Sequence, residues 1–355
     1  MSRVMIHPSG YDKIGEAVER AFELFPVPMA GRKVLIKPNV LRASEAAEAI
    51  VTHPALLRAV VEKVQSFSPA SIIVGDNPGM FSYGANEESF ETTGLMEASC
   101  GRYENIGLDS VKIDFDPAFM PAVSVSRAVM EADVVISLPK FKTHGLTVMT
   151  GAIKNSYGYL PGAQKAMLHK AAGSPERFHQ LIVEVYRLRV PDLFIMDAVV
   201  GMEGNGPASS ELRDIGLVIA SNSGVAMDAV VATLMGCDPG RLGFLKKARE
   251  VGLGDYDLGS IEIIGELKPL ANFKLPPLGG EANSQNPHLQ QLIESRTALR
   301  PQADPELCTG CATCVEQCPV SALTMVDALP VVDAGVCISC FCCQEMCPEK
   351  AMALK

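Results

Sequence analysis

Short apolar runs recur along the first 265 or so residues, with amphipathic stretches between them. Val34–Lys37, Ser71–Val74, Val134–Leu138, Leu193–Met196, Ile215–Ala220 and Ile261–Ile264 are rich in β-branched residues and mostly lack polar alternation. Such runs predict strands buried on both faces. Tyr11–Phe25, Pro54–Phe67, Ser174–Leu188, Val225–Met235 and Arg241–Val251 repeat apolar positions at helical spacing. Thr52 and Ser174 stand where helix N-caps are expected. Strands alternating with helices predict an α/β body over residues 1–267, a largely parallel sheet covered by helices. Residues 268–302 break the pattern with Pro276-Pro277-Leu278-Gly279-Gly280 and then Asn, Gln and Ser. That composition predicts a linker, with a short helix near His288–Thr297.

Nine of the eleven cysteines fall between Cys308 and Cys347. Cys308, Cys311, Cys314 and Cys318 form C-x2-C-x2-C-x3-C before Pro319. Cys337, Cys340, Cys343 and Cys347 repeat it 29 residues on, before Pro348. Zinc sites use paired C-x2-C knuckles. A repeated triplet with an outlying fourth cysteine is the bacterial two-cluster ferredoxin run, in which the fourth cysteine serves the other cluster. The spacing therefore predicts two [4Fe–4S] clusters in a small ferredoxin-like α+β domain over residues 303–355. One takes Cys308, Cys311, Cys314 and Cys347; the other takes Cys337, Cys340, Cys343 and Cys318. Cys342 breaks no spacing and reads as a spare thiol. A large body with one dense cysteine tail is unlike a secreted disulfide scaffold.

Charge narrows the partners. The chain carries 31 Lys and Arg against 41 Asp and Glu, net −10, which argues against a nucleic-acid binder. Residues 303–355 hold seven acids and two bases, half of that excess. A redox partner protein with a basic patch is the complement. The N-terminus has no apolar core of signal-peptide length. The least charged stretch, Ile215–Cys237, is interrupted by Ser221-Asn222-Ser223-Gly224 and by Asp228. The expectation is a cytoplasmic protein without a membrane span.

Ligands of open α/β sheets bind beyond the carboxyl ends of strands. Here those ends run into Pro38-Asn39, Gly75–Gly79, Pro139–Gly145, Gly201–Pro207 and Ser221–Gly224. From Val134 to Pro175 there is no Asp or Glu, while Lys140, Lys142, Lys154, Lys165, Lys170, His144 and His169 all fall there. A positive field in an acidic protein points to an anionic small molecule. Lys140, Lys142, Lys154 and Asn155 would bind it, and His144 or His169 would supply a proton. The plain alternative is a solvated basic face. His53 reads as a helix start, and Asp76 and Asp197 as ligands or as partners of their own turns. No G-x-G-x-x-G follows a strand, and neither G-x-x-x-x-G-K-[ST] nor G-x-S-x-G occurs.

Ile36-Lys37-Pro38-Asn39, Thr52-His53-Pro54, Leu138–His144, Gly151–Gly158 and Asp197–Pro207 together resemble the domain-of-unknown-function 362 family. The resemblance covers residues 1–265 and the tail. It implies an α/β fold and an iron–sulfur protein, and adds Lys37 and Asn39 to the binding residues. It supplies no reaction. A free-standing ferredoxin needs only the tail, so the body must bind something. The expectation is an iron–sulfur oxidoreductase subunit whose tail passes electrons to or from an anion bound by the body. The alternatives are a non-enzymatic electron carrier whose body docks a redox enzyme, and an iron–sulfur redox sensor.

Overall fold

The computed structural model describes residues 2–79, 84–276 and 300–354; the helix expected near His288–Thr297 lies outside them. The body contributes eleven strands: β1 (Ser2–Pro8), β2 (Lys33–Pro38), β3 (Ser71–Val74), β4 (Ser110–Asp114), β5 (Ala122–Ser126), β6 (Val134–Leu138), β7 (Lys140–His144), β8 (Val148–Met149), β9 (Leu193–Met202), β10 (Leu212–Ser221) and β11 (Ile261–Ile264). Its helices are α1 (Ile14–Leu24), α2 (Pro54–Ser66), α3 (Ala85–Thr92), α4 (Leu95–Ala98), α5 (Arg127–Glu131), α6 (Gly151–Asn155), α7 (Gln164–Ala172), α8 (Pro175–Leu188), α9 (Gly224–Leu234) and α10 (Gly243–Glu250). The main sheet runs β11-β1-β10-β9-β6-β2-β3. Along this path only β10 opposes its neighbours.

The sheet is covered on both sides, which is why its central strands lack polar alternation. Val34, Ile36, Val134 and Ile136 face α1 and α2. Leu35, Val135, Phe194 and Met196 face α6, α8, α9 and α10. The chain leaves β2 for β3 through α2 on one face and leaves β6 for β9 through α8 on the other. The connections diverge beyond β2 and β6, where open sheets hold ligands.

Three local expectations change. Lys140–His144 is a strand rather than a loop, because Pro139 only kinks a chain that stays paired to β9 (Ile136 with Leu193, Lys140 with Asp197). His53 rather than Thr52 caps α2, its ring accepting from Ala55 N at 3.1 Å. Thr52 Oγ1 instead donates to Leu138 O at 2.6 Å, tying the β2 loop to β6. Ser174 caps α8 as expected. The start of the expected linker packs on the body: Leu270 N donates to Leu234 O, and Phe273 meets Phe141 edge-on.

The ferredoxin unit pairs β12 (Pro301–Ala303) with β15 (Met352–Leu354) and β13 (Leu323–Val326) with β14 (Leu329–Val332). Its short helices are α11 (Thr313–Glu316) and α12 (Cys342–Met346). The sequence repeat is a structural repeat. Ala312 and Phe341, 29 apart, both take left-handed φ before their helices. Ala322 N and Ala351 N, also 29 apart, donate to Cys318 Sγ and Cys347 Sγ.

Candidate functional site

A cavity of about 70 Å³ lies beyond the carboxyl ends of β2, β3 and β6, walled on the far side by the ferredoxin unit. The body supplies Asn39, Asp76, Asn77, Lys142, Thr150, Lys154, Asn155, Lys165 and His169; the ferredoxin unit supplies Gln317, Cys342, Glu345 and Met346. The two units meet closely here. Met346 packs so near Gly79 that a Cβ there would sit 2.7 Å from its methyl. Gln344 donates to Asn205 O at 2.9 Å, and Lys350 pairs with Glu48 at 3.0 Å.

The floor is a buried polar chain. Lys37 Nζ pairs with Asp76 Oδ1 at 2.7 Å and donates to Asn155 Oδ1 at 3.1 Å. Asn39 Nδ2 donates to the same oxygen, while Asn155 Nδ2 donates to Ser137 Oγ. Gly158 is required over this pair, since a Cβ would collide with Asp76 and Lys37. On the wall, α7 presents Lys165 and His169, one turn apart on one face. Lys165 Nζ donates to Asn77 O and Pro78 O at 2.5 Å. Burial lowers its pKa to about 7. Burial likewise holds Lys142, Lys154 and His169 below their usual values. Lys142 Nζ donates to Ile50 O at 2.6 Å. Lys154 Nζ has no hydrogen bond or ion pair among the described residues. Buried atoms left without hydrogen-bond partners include Asn39 Oδ1, Thr150 Oγ1, His169 Nε2 and Gln317 Oε1, and all four residues line this cavity. Buried polar atoms are nearly always satisfied, so such a cluster marks a place for a ligand or water.

Of the sequence-predicted residues, Lys142, Lys154, Asn155, Asn39 and His169 line the cavity together. Three do not. Lys140 is spent on Asp197 at 2.7 Å, beside Tyr11 and out of the cavity; the pairing of β7 with β9 is irregular between Lys140 and Lys142, so the two lysines need not share a face as regular alternation would require. Lys37 lies beneath Asn155 as support. His144 faces Glu345, 2.9 Å from Nε2 to Oε1. Its Nδ1 accepts from Leu146 N, and burial lowers its pKa to about 4, so the proton of a neutral ring sits on Nε2 towards Glu345. His144 is thus a contact between the two units, not a proton donor to the cavity. Asp76 and Asp197 serve lysines and backbone N–H groups. Sequence reasoning left Lys165, Thr150, Gln317 and Glu345 unassigned. Lys165 carried a signal, the i, i+4 spacing to His169; Gln317 and Glu345 carried none, since nothing in sequence tells which face of the ferredoxin unit meets the body.

The cysteines form the two crossed quartets. One small cavity is ringed by Cys308, Cys311, Cys314 and Cys347, another by Cys318, Cys337, Cys340 and Cys343. Among the described residues, no group of three or more His, Cys, Asp or Glu closes to the spacing of a single ion. Thiolates spread around a cavity suit a multi-iron cluster better than zinc. Cys342 is in neither ring; it faces the larger cavity.

Comparison with known proteins agrees with both units. The family described as domain of unknown function (DUF362) matches residues 34–233, and a 4Fe-4S dicluster domain matches residues 300–348. A thylakoid-associated protein of Synechocystis sp. is 32% identical over 231 residues, covering 63% of this chain and 69% of that protein. Among solved structures, a Thermotoga maritima protein is similar at TM-score 0.42 and 13% identity, covering 61% of this chain and 56% of its own. The lactate racemase apoprotein of Thermoanaerobacterium thermosaccharolyticum is similar at TM-score 0.41 and 12% identity, covering 62% and 54%. The chain thus spans little more than half of either solved structure. No described helix is long and apolar enough to cross a membrane.

Proposed function

This chain belongs to the domain-of-unknown-function 362 family, and we propose that it is an iron–sulfur oxidoreductase subunit that exchanges electrons with a small anion held between its two units. One helix carries the reading. In α12, Cys343 belongs to a cysteine quartet, while Cys342, Glu345 and Met346 wall the cavity. Gln317, also on the wall, precedes Cys318 of the same quartet. Two [4Fe–4S] clusters, when bound in the quartets, supply one-electron transfer. The chain's own residues do the rest. Lys154 and Lys142 hold the anion's charge, Asn39 and Thr150 orient it, and His169 accepts a proton. The seated ferredoxin unit leaves less water around it, so these charges act more strongly than they would in open solvent.

The redox partner meets the other quartet. Cys311 is exposed, as are Leu307, Val326 and Val331; Glu306 adjoins Leu307 and Asp327 adjoins Val326 in the chain, and both acids are exposed. A basic patch is the complement, and a cytoplasmic setting suits the reduced thiols.

A redox titration followed by electron paramagnetic resonance tests the reading, on anaerobic protein with about eight irons per chain. Inorganic phosphate at constant ionic strength should lower the potential of one cluster and scarcely move the other, because negative charge beside a cluster disfavours its reduction. Lys154→Ala should remove the shift and keep the iron. If neither potential responds, the body is a docking module and the chain a non-enzymatic electron carrier.

A further inference from the structure

The unfilled atoms of the cavity say more about its ligand than that it is anionic. Asn39 Oδ1 and His169 Nε2 lack partners although their residues are only 8% and 7% exposed. Both are acceptors, and neighbouring groups make them so. Lys37 Nζ can only donate, so Asn155 turns its Oδ1 to it; Asn39 then gives that oxygen its Nδ2 and keeps Oδ1 for the cavity. His169 Nδ1 lies 2.8 Å from Lys165 O, a carbonyl that can only accept. The ring proton therefore sits on Nδ1, and Nε2 offers a lone pair. Tyr157 OH donates to the same carbonyl at 2.9 Å, so it leaves this assignment intact. Two acceptors without donors thus line the same cavity as Lys154, whose Nζ has no hydrogen bond or ion pair among the described residues.

We propose that the cavity selects a small oxyanion that also carries a hydroxyl, with the charged oxygens on Lys154 and Lys142 and the hydroxyl donating to Asn39 Oδ1 or His169 Nε2. This rests on the reading that the cavity binds an anion. An ammonium donor is disfavoured by the three lysines on the wall. A volume of about 70 Å³ suits a ligand of a few non-hydrogen atoms in place of the waters it displaces. A short hydroxycarboxylate and the hydrogen form of phosphate share this chemistry. A site with buried acceptors rejects the analogue that lacks the donor, because the acceptors are then stranded.

Matched ligands test it by isothermal calorimetry on the full, iron-loaded chain at constant ionic strength, with phosphate as the dianion. Glycolate is compared with acetate, and phosphate with sulfate; each pair has equal charge and differs in the hydroxyl. In at least one pair the hydroxyl-bearing member should bind about tenfold tighter or better. The pair that does so identifies a carboxylate or a phosphate ligand. Asn39→Ala, with iron unchanged, should bring that ratio towards one. Equal affinity within both pairs overturns the hydroxyl selection while the anion site stands. Binding that Lys154→Ala leaves untouched overturns the anion site itself, and no binding by any of the four counts against both.

Discussion

Lys165 is where burial has the most direct consequence for ligand binding. Burial brings its pKa down from 10.5 to about 7, in the cavity proposed to hold an anion. The ammonium is then fully formed only below that pH, so anion affinity should rise as pH falls through about 7. Acetate suits the measurement, because its own charge is constant in that range. Binding should weaken by about tenfold from slightly acid to slightly alkaline pH, and Lys165→Met should flatten the profile. A profile unchanged in the variant would assign the titration elsewhere. The lysines also show what sequence conveys at this scale. Their excess over acids was visible, and it led to segments that line this cavity. Which of them are free was not, since Lys37 and Lys140 are neutralised by Asp76 and Asp197, 39 and 57 residues away. Arg42 is a further case, buried beside Cys347 with two guanidinium nitrogens unpaired.

The helix that carries Lys154 and Asn155 is only five residues long and depends on its N-terminal partner. Asp228, on α9, accepts from Ala152 N and Ile153 N. The backbone bonds favour its charge, but burial outweighs them and raises the pKa to about 7. The folded state thus holds the proton more tightly than the unfolded chain, and this group's stabilising contribution is lost as pH rises from about 4 to about 7. Asp228→Asn keeps an acceptor and removes the titration. Its urea midpoint should fall less than that of the wild type across this range; parallel curves would sink the assignment. Strands and helices were legible wherever burial was two-sided, as in β2, β3 and β6. The strand β1 was not, because its residues Ser2–Pro8 mix Arg, His and Ser with apolar positions and only its middle is buried. β7 was hidden by Pro139 and by lysines that read as surface.

At the scale of the molecule, the ferredoxin unit walls the cavity with one quartet behind it and carries the other quartet on the side of exposed Cys311. Its 29-residue repeat was fully readable because ligand spacing is a covalent fact of the chain. Its seating on the body was not, because Glu345, Gln344 and Lys350 find their partners across more than a hundred residues. That seating gives the two quartets different roles. Cys318 and Cys343 adjoin the cavity through Gln317 and Cys342, whereas Cys311 is exposed, and Gly310 beside it lies against Ala328, the neighbour of exposed Asp327. Electrons then enter or leave at the acidic end, and charge should govern the encounter. Reduction by a cationic viologen radical should slow as salt rises, and reduction by anionic dithionite should quicken, because salt screens attraction and repulsion alike. Glu306→Lys with Asp327→Lys should shrink both slopes without changing the iron content or anion binding. Stopped-flow traces at two ionic strengths decide it. Slopes that survive the charge reversal would move the docking face away from the exposed quartet.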